Sequence, residues 1–246
     1  MIQRPTRPQR RGPLGSEEQA RAMQRLYTSE VMAIEDVAPG VRRIALARPP
    51  DLTWQPGQAM AVETPNEGVR LCRFSIALAP EVPGPIELFV DVRGAGPCSR
   101  YMGQLERGQV LRFWAPVGSF VFEGAPAAPL AFVACGLGVA ALRPMMQRLF
   151  RHRLLYPVRL HHFVDSPEQQ LFRKEFVREV FSRENFDYEV LFDIPVTHYL
   201  YGRYVGGTSE RNWNFYLCGP APAVSQATEL LRDAGYAPHA LHAEEW

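Results

Sequence analysis

Two periodicities run along the 246-residue chain, and they change over near residue 125. From residue 27 to residue 123 apolar and polar positions alternate with a period of two, in short runs at 41–46, 58–63, 86–92 and 110–114. That alternation puts successive side chains on opposite faces, so each run reads as a strand with one buried face. Turn sequences such as Ala38-Pro39-Gly40, Gln55-Pro56-Gly57 and Arg107-Gly108 separate the runs at the spacing of an antiparallel β-barrel or sandwich. One helical stretch, about residues 98–105, interrupts them.

Small residues and prolines at 123–129 break both periods and read as a linker. A continuous apolar run at 130–134 follows, as expected of a strand buried on both faces. Residues 139–150 then put Val139, Leu142, Met146 and Leu149 on one helical face, and residues 168–181 do the same with Leu171, Phe172, Phe176 and Val180. Further strands are predicted at 157–164, 187–192 and 213–217, with a helix at about 221–234. The alternation of strand and helix implies a mostly parallel sheet whose ligand sits beyond the strands' carboxyl ends. The expected organisation is a tail at 1–26, an antiparallel β-barrel at 27–123 and an α/β nucleotide-binding domain with a parallel sheet at 130–246. No internal repeat is visible.

Composition narrows the classes. Apolar residues make up 46% and charged residues 22%, and no apolar run approaches the roughly 20 residues of a membrane helix, so no membrane-spanning segment is expected. Net charge is +1, but residues 1–15 hold Arg4, Arg7, Arg10 and Arg11 and no acid, which leaves −3 on the remainder. A mildly acidic body carries no nucleic-acid footprint. The proline-rich start reads as a flexible basic arm, and Arg10-Arg11 lacks the apolar segment that an export signal requires. Cys72, Cys98, Cys135 and Cys218 stand singly, without the close spacing of zinc or iron–sulfur ligands, so no metal is expected. Their scattering fits a reducing compartment, taken as the cytoplasm. His161-His162, adjacent on a strand, point to opposite faces and cannot chelate one ion together, so no role is assigned to them. Neither a Gly-x-Ser-x-Gly elbow nor a His-Glu-x-x-His helix is present, which removes the commonest hydrolase and metalloprotease readings.

The segment Ala134-Cys135-Gly136-Leu137-Gly138-Val139 leaves a strand and opens a helix, so its backbone N–H groups are placed to approach a pyrophosphate. By itself this is explained equally well by a tight turn. An all-β unit in front of such a loop narrows the choice, and the chain resembles the ferredoxin-NADP reductase family in five places. Arg73-Phe74-Ser75 resembles the flavin motif Arg-x-Tyr-Ser, and Gly96-Pro97-Cys98-Ser99 the Gly-x-x-Ser loop at the flavin pyrophosphate. Gly136 and Gly138 match the pyridine-nucleotide loop. Cys218-Gly219-Pro220 and the ending Glu244-Glu245-Trp246 resemble the nicotinamide segment and the Glu-x-aromatic terminus.

The resemblance covers residues 27–246 and implies a flavoprotein that binds FAD and NADH or NADPH and passes electrons to a separate acceptor protein such as a ferredoxin or oxygenase component. It implies Phe74 stacked on the flavin, Ser75 near its N5, Ser99 at the pyrophosphate, Cys218 beside the nicotinamide, Glu244 adjusting charge or protons, and Trp246 as a removable cap. Asp165, at the end of the second strand of the α/β unit, is placed to accept from a ribose 2'-hydroxyl, which favours NADH. One departure is specific: with Phe74 and Ser75 in register, Cys72 occupies the place of the phosphate-binding arginine. Arg70 and Arg73 are the candidates to replace it, and strand parity favours Arg70, two residues from Cys72. Ala141 stands where the family often has proline, and the stretch from Gly202 to Cys218 is short enough to lack a peripheral helix. Two other readings stay open: a free-flavin or quinone reductase, and a flavin-fold scaffold subunit that has lost its cofactor.

Overall fold

The computed structural model describes residues 24–65, 70–122, 124, 128–207 and 210–246. The basic arm, apart from its last three positions, and most of the linker lie outside the described residues.

The first unit is a six-stranded antiparallel sheet in the order β4-β3-β6-β1-β2-β5. Its strands are β1 (Arg25–Ala38), β2 (Val41–Leu46), β3 (Ala59–Thr64), β4 (Arg70–Ser75), β5 (Ile86–Asp91) and β6 (Val110–Val117). The 14-residue β1 does two jobs: its first half pairs with β6 and its second half with β2, around a register shift between Val31 and Ala33. Only Ser29 and Val31 of β1 are buried, so its apolar alternation is too weak to mark it as one long strand. The sheet curls closed where Ala77 N–H, just past β4, donates to Glu87 O on β5 at 2.9 Å. Inside it sit Val31, Ile44, Leu46, Met60, Val62, Leu88 and Phe113. Helix α1 (Pro97–Gly103) follows β5, close to the predicted helix.

The second unit is a parallel sheet in the order β11-β10-β7-β8-β9. It comprises β7 (Leu130–Cys135), β8 (Val158–Val164), β9 (Phe186–Phe192), β10 (Asn214–Gly219) and β11 (Leu241–Glu245). Helices α2 (Val139–Leu149), α3 (Arg173–Ser182), α4 (Val196–Leu200) and α5 (Ala221–Asp233) make the crossovers, α4 running on into a π-turn at Tyr201–Val205. The predicted helix at 168–181 is divided: residues 167–169 form a 3₁₀ turn, and Phe172 takes a left-handed φ of 61° before α3 begins. Tertiary contacts explain that break. The Phe172 ring meets Phe89 of the barrel edge-on at 4.7 Å, and the Arg143 guanidinium lies 4.5 Å above it.

The two units share an apolar core in which Phe89, Phe120 and Phe122 from the barrel meet Phe132, Met145 and Leu149 from the α/β unit. Arg143 of α2 fixes the register of this contact. Its Nη1 donates to Glu87 Oε2 at 2.6 Å and to Ala77 O at 2.9 Å, while its Nε donates to Glu175 Oε2 at 2.8 Å. The side chains of Arg143 and Glu87 are 13% and 12% exposed, so the pair is nearly desolvated.

The cysteine reading is corrected here. Cys72 of β4 and Cys98 of α1 form a disulfide, with Cα atoms 5.8 Å apart and a sequence separation of 26. The folding of β4 against α1, invisible in the spacing, brings them together, and the pairing removes the cysteine-based case for a reducing compartment. Cys135 and Cys218 are free and buried. The two histidines also acquire partners. His161 Nε2 lies 2.6 Å from Tyr204 Oη, and its Nδ1 lies 3.0 Å from Tyr199 Oη and 3.1 Å from Glu189 Oε2. His162, on the opposite face, donates from Nε2 to Gly136 O at 3.0 Å. Among the described residues no helix is long and apolar enough to cross a membrane, and no cluster of three or more His, Cys, Asp or Glu is placed to hold a metal.

Candidate functional site: a double cleft between the two units

In the parallel sheet the chain builds outward from β7 to β9 and then returns to place β10 on β7's other side. That reversal opens a crevice at the carboxyl ends of β7 and β10, the place where such sheets take ligands. The Gly136–Gly138 turn leaves β7 there, and Cys218-Gly219-Pro220 leaves β10. The two turns touch: a Cβ on Gly138 would sit 2.0 Å from Cys218 O, and one on Gly219, with φ of 156°, would sit 2.6 Å from Cys135 Cβ. Gly138 and Gly219 are therefore required for close backbone approach. Gly136, with φ of 55°, faces open space, and His162 holds its carbonyl from behind.

Two cavities line this crevice against the barrel. The first, about 260 Å³, is bounded by Arg73, Phe74, Ser75, Phe89, Val90, Asp91, Ser99, Leu137, Ala140, Ala141 and Trp246. The second, about 180 Å³, is bounded by Val41, Asp91, Arg93, Cys135, Gly136, Leu137, Asp165, Gln169, Leu171, Pro220 and Trp246. Asp91, Leu137 and Trp246 border both, so the cavities meet at the C-terminal indole. Trp246 is held there by its backbone: its N–H donates to Gly219 O at 3.4 Å, and its carbonyl accepts from Ala221 N–H at 3.1 Å. The residue stays 58% exposed.

Of the residues singled out in the sequence, Arg73, Phe74, Ser75, Ser99 and Trp246 come together at the first cavity, and Gly136, Asp165, Pro220 and Trp246 at the second. Arg70 and Arg73, the two candidates for the phosphate charge, are placed differently. Arg70 is exposed at the start of β4 and borders neither cavity, whereas Arg73 borders the first and donates from Nη2 to Glu244 Oε1 at 3.1 Å. Cys98 is in the disulfide and Gly96 is exposed at the loop's outer edge; neither borders a cavity. Cys218 is fully buried behind the turn, and burial raises its thiol well above the ordinary range, with the Glu244 charge adding to the effect.

Glu244 lies on a third cavity, about 440 Å³, with Arg73, Gly118, Ser119, Phe120 and His242 among its neighbours. Burial raises the Glu244 carboxyl, and the Arg73 charge opposes this. Its Oε2 is buried without a hydrogen-bond partner, on the third cavity next to Arg73, which also borders the first.

Sequence reasoning missed Asp91 and Arg93. Their ion pair, at 2.5 Å, stands at the junction of the cavities, and Arg93 faces Asp165 across the second. A single Asp-x-Arg after a strand carries no signal of its own, and only the packing of β5 against the Gly136–Gly138 turn makes it part of the cleft.

The first cavity fits a flavin. It offers an aromatic ring at Phe74, a hydroxyl at Ser75 and a second hydroxyl at Ser99 within one slot closed by an indole. Residues 29–122 match the oxidoreductase FAD-binding domain family. The chain is 25% identical over 232 residues to the phenol hydroxylase P5 protein of Acinetobacter pittii, covering 89% of this chain and 65% of that protein. It is also 25% identical over 240 residues to ferredoxin–NADP reductase B of Sorangium cellulosum, covering 89% of this chain and 97% of that one. The fold superposes on a cytochrome P450 reductase from Amycolatopsis with a TM-score of 0.78 at 21% identity, covering 90% of this chain and 70% of that chain. The chain is thus similar to the ferredoxin-NADP reductase-like flavoprotein reductases: its first unit matches an FAD-binding domain, and its two-unit fold is theirs. It spans just under two thirds of the length of the phenol hydroxylase protein that it matches.

Proposed function

We infer that this chain takes reducing equivalents from reduced nicotinamide and delivers them, through FAD, to a separate acceptor protein. The observation that carries this reading is the meeting of the two cavities at Trp246: a flavin slot and a nucleotide slot that share an exposed aromatic wall. Bound FAD would supply hydride acceptance from the nicotinamide and onward release of electrons. The division into a barrel at 27–123 and an α/β unit at 130–246 is part of the reading, supported by two sheets that share no strand.

Phe74 offers a ring face for stacking and Ser75 a hydroxyl donor at the same wall of the cavity. Ser99 offers a donor at the opposite wall, and Arg73 brings the positive charge that Cys72 cannot. Gly136 leaves its side of the second cavity open to a phosphate, with the start of α2 directly behind it. The Trp246 indole excludes water from the junction until nicotinamide displaces it. A stacked ring of this kind is worth about 1 kcal/mol beyond its burial, enough to hold a chain terminus and small enough to be exchanged. Glu244, its carboxyl raised by burial and its Oε2 unpaired, holds a proton more readily than a surface carboxylate and stands next to Arg73.

NADH is the preferred nucleotide in this reading, because Asp165 borders the second cavity and repels a 2'-phosphate, while Arg93 is already paired with Asp91. The acceptor is a protein of the oxygenase or ferredoxin kind, a reading supported by the P450 reductase and the phenol hydroxylase protein among the matches. Steady-state kinetics with both nucleotides tests the assignment: a higher catalytic efficiency with NADPH contradicts the role given to Asp165.

A further inference from the structure

The Cys72–Cys98 disulfide joins the two segments that border the flavin slot, and nothing in the reductase reading uses it. Cys72 lies two residues before Phe74 on β4, and Cys98 lies one residue before Ser99 at the start of α1. The bond runs beneath the slot: Phe74 and Ser99 line the cavity, whereas neither cysteine does, and Cys72 is 3% exposed. The cross-link therefore leaves the space for FAD clear while fixing the distance between the strand and the loop that flank it.

The loop needs such a tie. Residues 93–96 are exposed and the first turn of α1 has no side-chain cap; Arg93 is tied to Asp91 at the end of β5, whereas Gly96 O accepts from Arg100 N–H at 3.0 Å and Ala95 O from the Arg100 guanidinium. The covalent bond joins β4 to this loop without any ligand, so the loop is held in place before FAD arrives.

We propose that Cys72 and Cys98 are a redox modification site that sets FAD affinity: the disulfide form holds FAD, and reduction by a dithiol loosens it. Cys98 is partly exposed and Cys72 buried, so the attack falls on Cys98 Sγ. A thiolate of the dithiol bonds to Cys98 Sγ as the bond to Cys72 breaks, and Cys72 leaves as a thiolate. The second thiol of the reductant then displaces Cys98 from the mixed disulfide. The two protons of the dithiol end on the two cysteines, and the reductant leaves as its own disulfide. Freed, the loop must be ordered at the expense of binding, a loss of roughly tenfold in FAD affinity.

The inference rests on FAD occupying the first cavity, and the test separates the two. Thiol titration of the denatured, air-oxidised protein should find two thiols, those of Cys135 and Cys218; four would overturn the proposal. FAD affinity, read from quenching of free flavin fluorescence, should fall by about tenfold after dithiothreitol and return on reoxidation. The double variant Cys72→Ser, Cys98→Ser should bind like the reduced protein and ignore dithiothreitol; if it does not fold, the wild-type comparison decides alone. Equal affinity in both redox states, or tighter binding on reduction, overturns the switch and leaves FAD binding standing. No FAD binding in either state overturns both.

Discussion

Replacing Arg143 by methionine should loosen the two units from each other more than any other single change at their contact. Methionine keeps the apolar stem that lies on Phe172 but removes donors to Glu87 Oε2 (2.6 Å), Ala77 O (2.9 Å) and Glu175 Oε2 (2.8 Å). Removing one partner of a buried ion pair costs about 3–5 kcal/mol because it strands the other charge. Glu87 keeps Arg43, at 2.5 Å, which compensates part of its charge and brings the cost below that range, to about 2–3 kcal/mol. For a chain of this size each kcal/mol moves the melting temperature by about 2–4 °C, so the variant should melt about 5–10 °C below wild type by circular dichroism at neutral pH. The pH dependence supplies a second check. Burial pushes the Glu87 carboxyl up, but the hydrogen bonds and charges of Arg143 and Arg43 outweigh it and hold the carboxyl below its ordinary 4.5. A lowered carboxylate contributes stability that is present above its ordinary value and lost as pH falls through the folded value. The gap between variant and wild type should therefore be full at neutral pH and close below about 4.5. A variant that melts with wild type at neutral pH would refute the role given to this pair.

Other outcomes follow from the same contacts. Deleting Trp246 should raise the fluorescence of bound flavin and strengthen the charge-transfer absorbance formed with nicotinamide, with an unchanged circular dichroism spectrum; unchanged fluorescence would remove the indole from the site. His162→Phe withdraws the donor to Gly136 O, and a neutral hydrogen bond of about 1 kcal/mol corresponds to about a fivefold rise in KM for NADH with kcat nearly unchanged. Burial, opposed only by the bond to Gly136, lowers His162 from 6.5 to about 4, so the buried ring refuses a proton that the unfolded chain accepts. Stability should fall as pH drops from 6.5 toward about 4, and His162→Phe should lack that component. Hydrogen bonding to His161 leads the causes that lower Glu189 to about 2, so its contribution should be complete above 4.5 and fade as pH falls toward about 2, and Glu189→Gln should flatten the acid limb of the stability profile there.

The change of period near residue 125 was enough to read the two-unit architecture, because each sheet advertises its own pattern: alternation in the antiparallel barrel, continuous apolar runs such as 130–135 in the parallel sheet. β1 and β4 were less legible. The first buries only Ser29 and Val31, and the second carries two arginines, an exposed Leu71 and a cysteine pair-bonded elsewhere, so neither shows a clean apolar face. Within the site, residues on sequence motifs were legible, since Phe74, Ser75, Ser99, Gly136 and Trp246 all border the cleft. Residues that act through tertiary placement were not: Arg73 against Glu244, Arg93 against Asp91, and the Cys72–Cys98 bond depend on segments brought together only by folding. Strand parity separates Arg70 from Arg73 but does not reveal that Arg73 borders the cleft, because the elements that meet it there come from both units.

Anaerobic mixing of the FAD-reconstituted protein with NADH tests the account most directly. Flavin absorbance should bleach in a single turnover and recover when an oxidised acceptor protein, such as a ferredoxin, is added. A protein that binds no FAD, or whose bound FAD keeps its full oxidised spectrum in excess NADH and NADPH, would contradict the reductase reading and leave the chain as a flavin-fold scaffold.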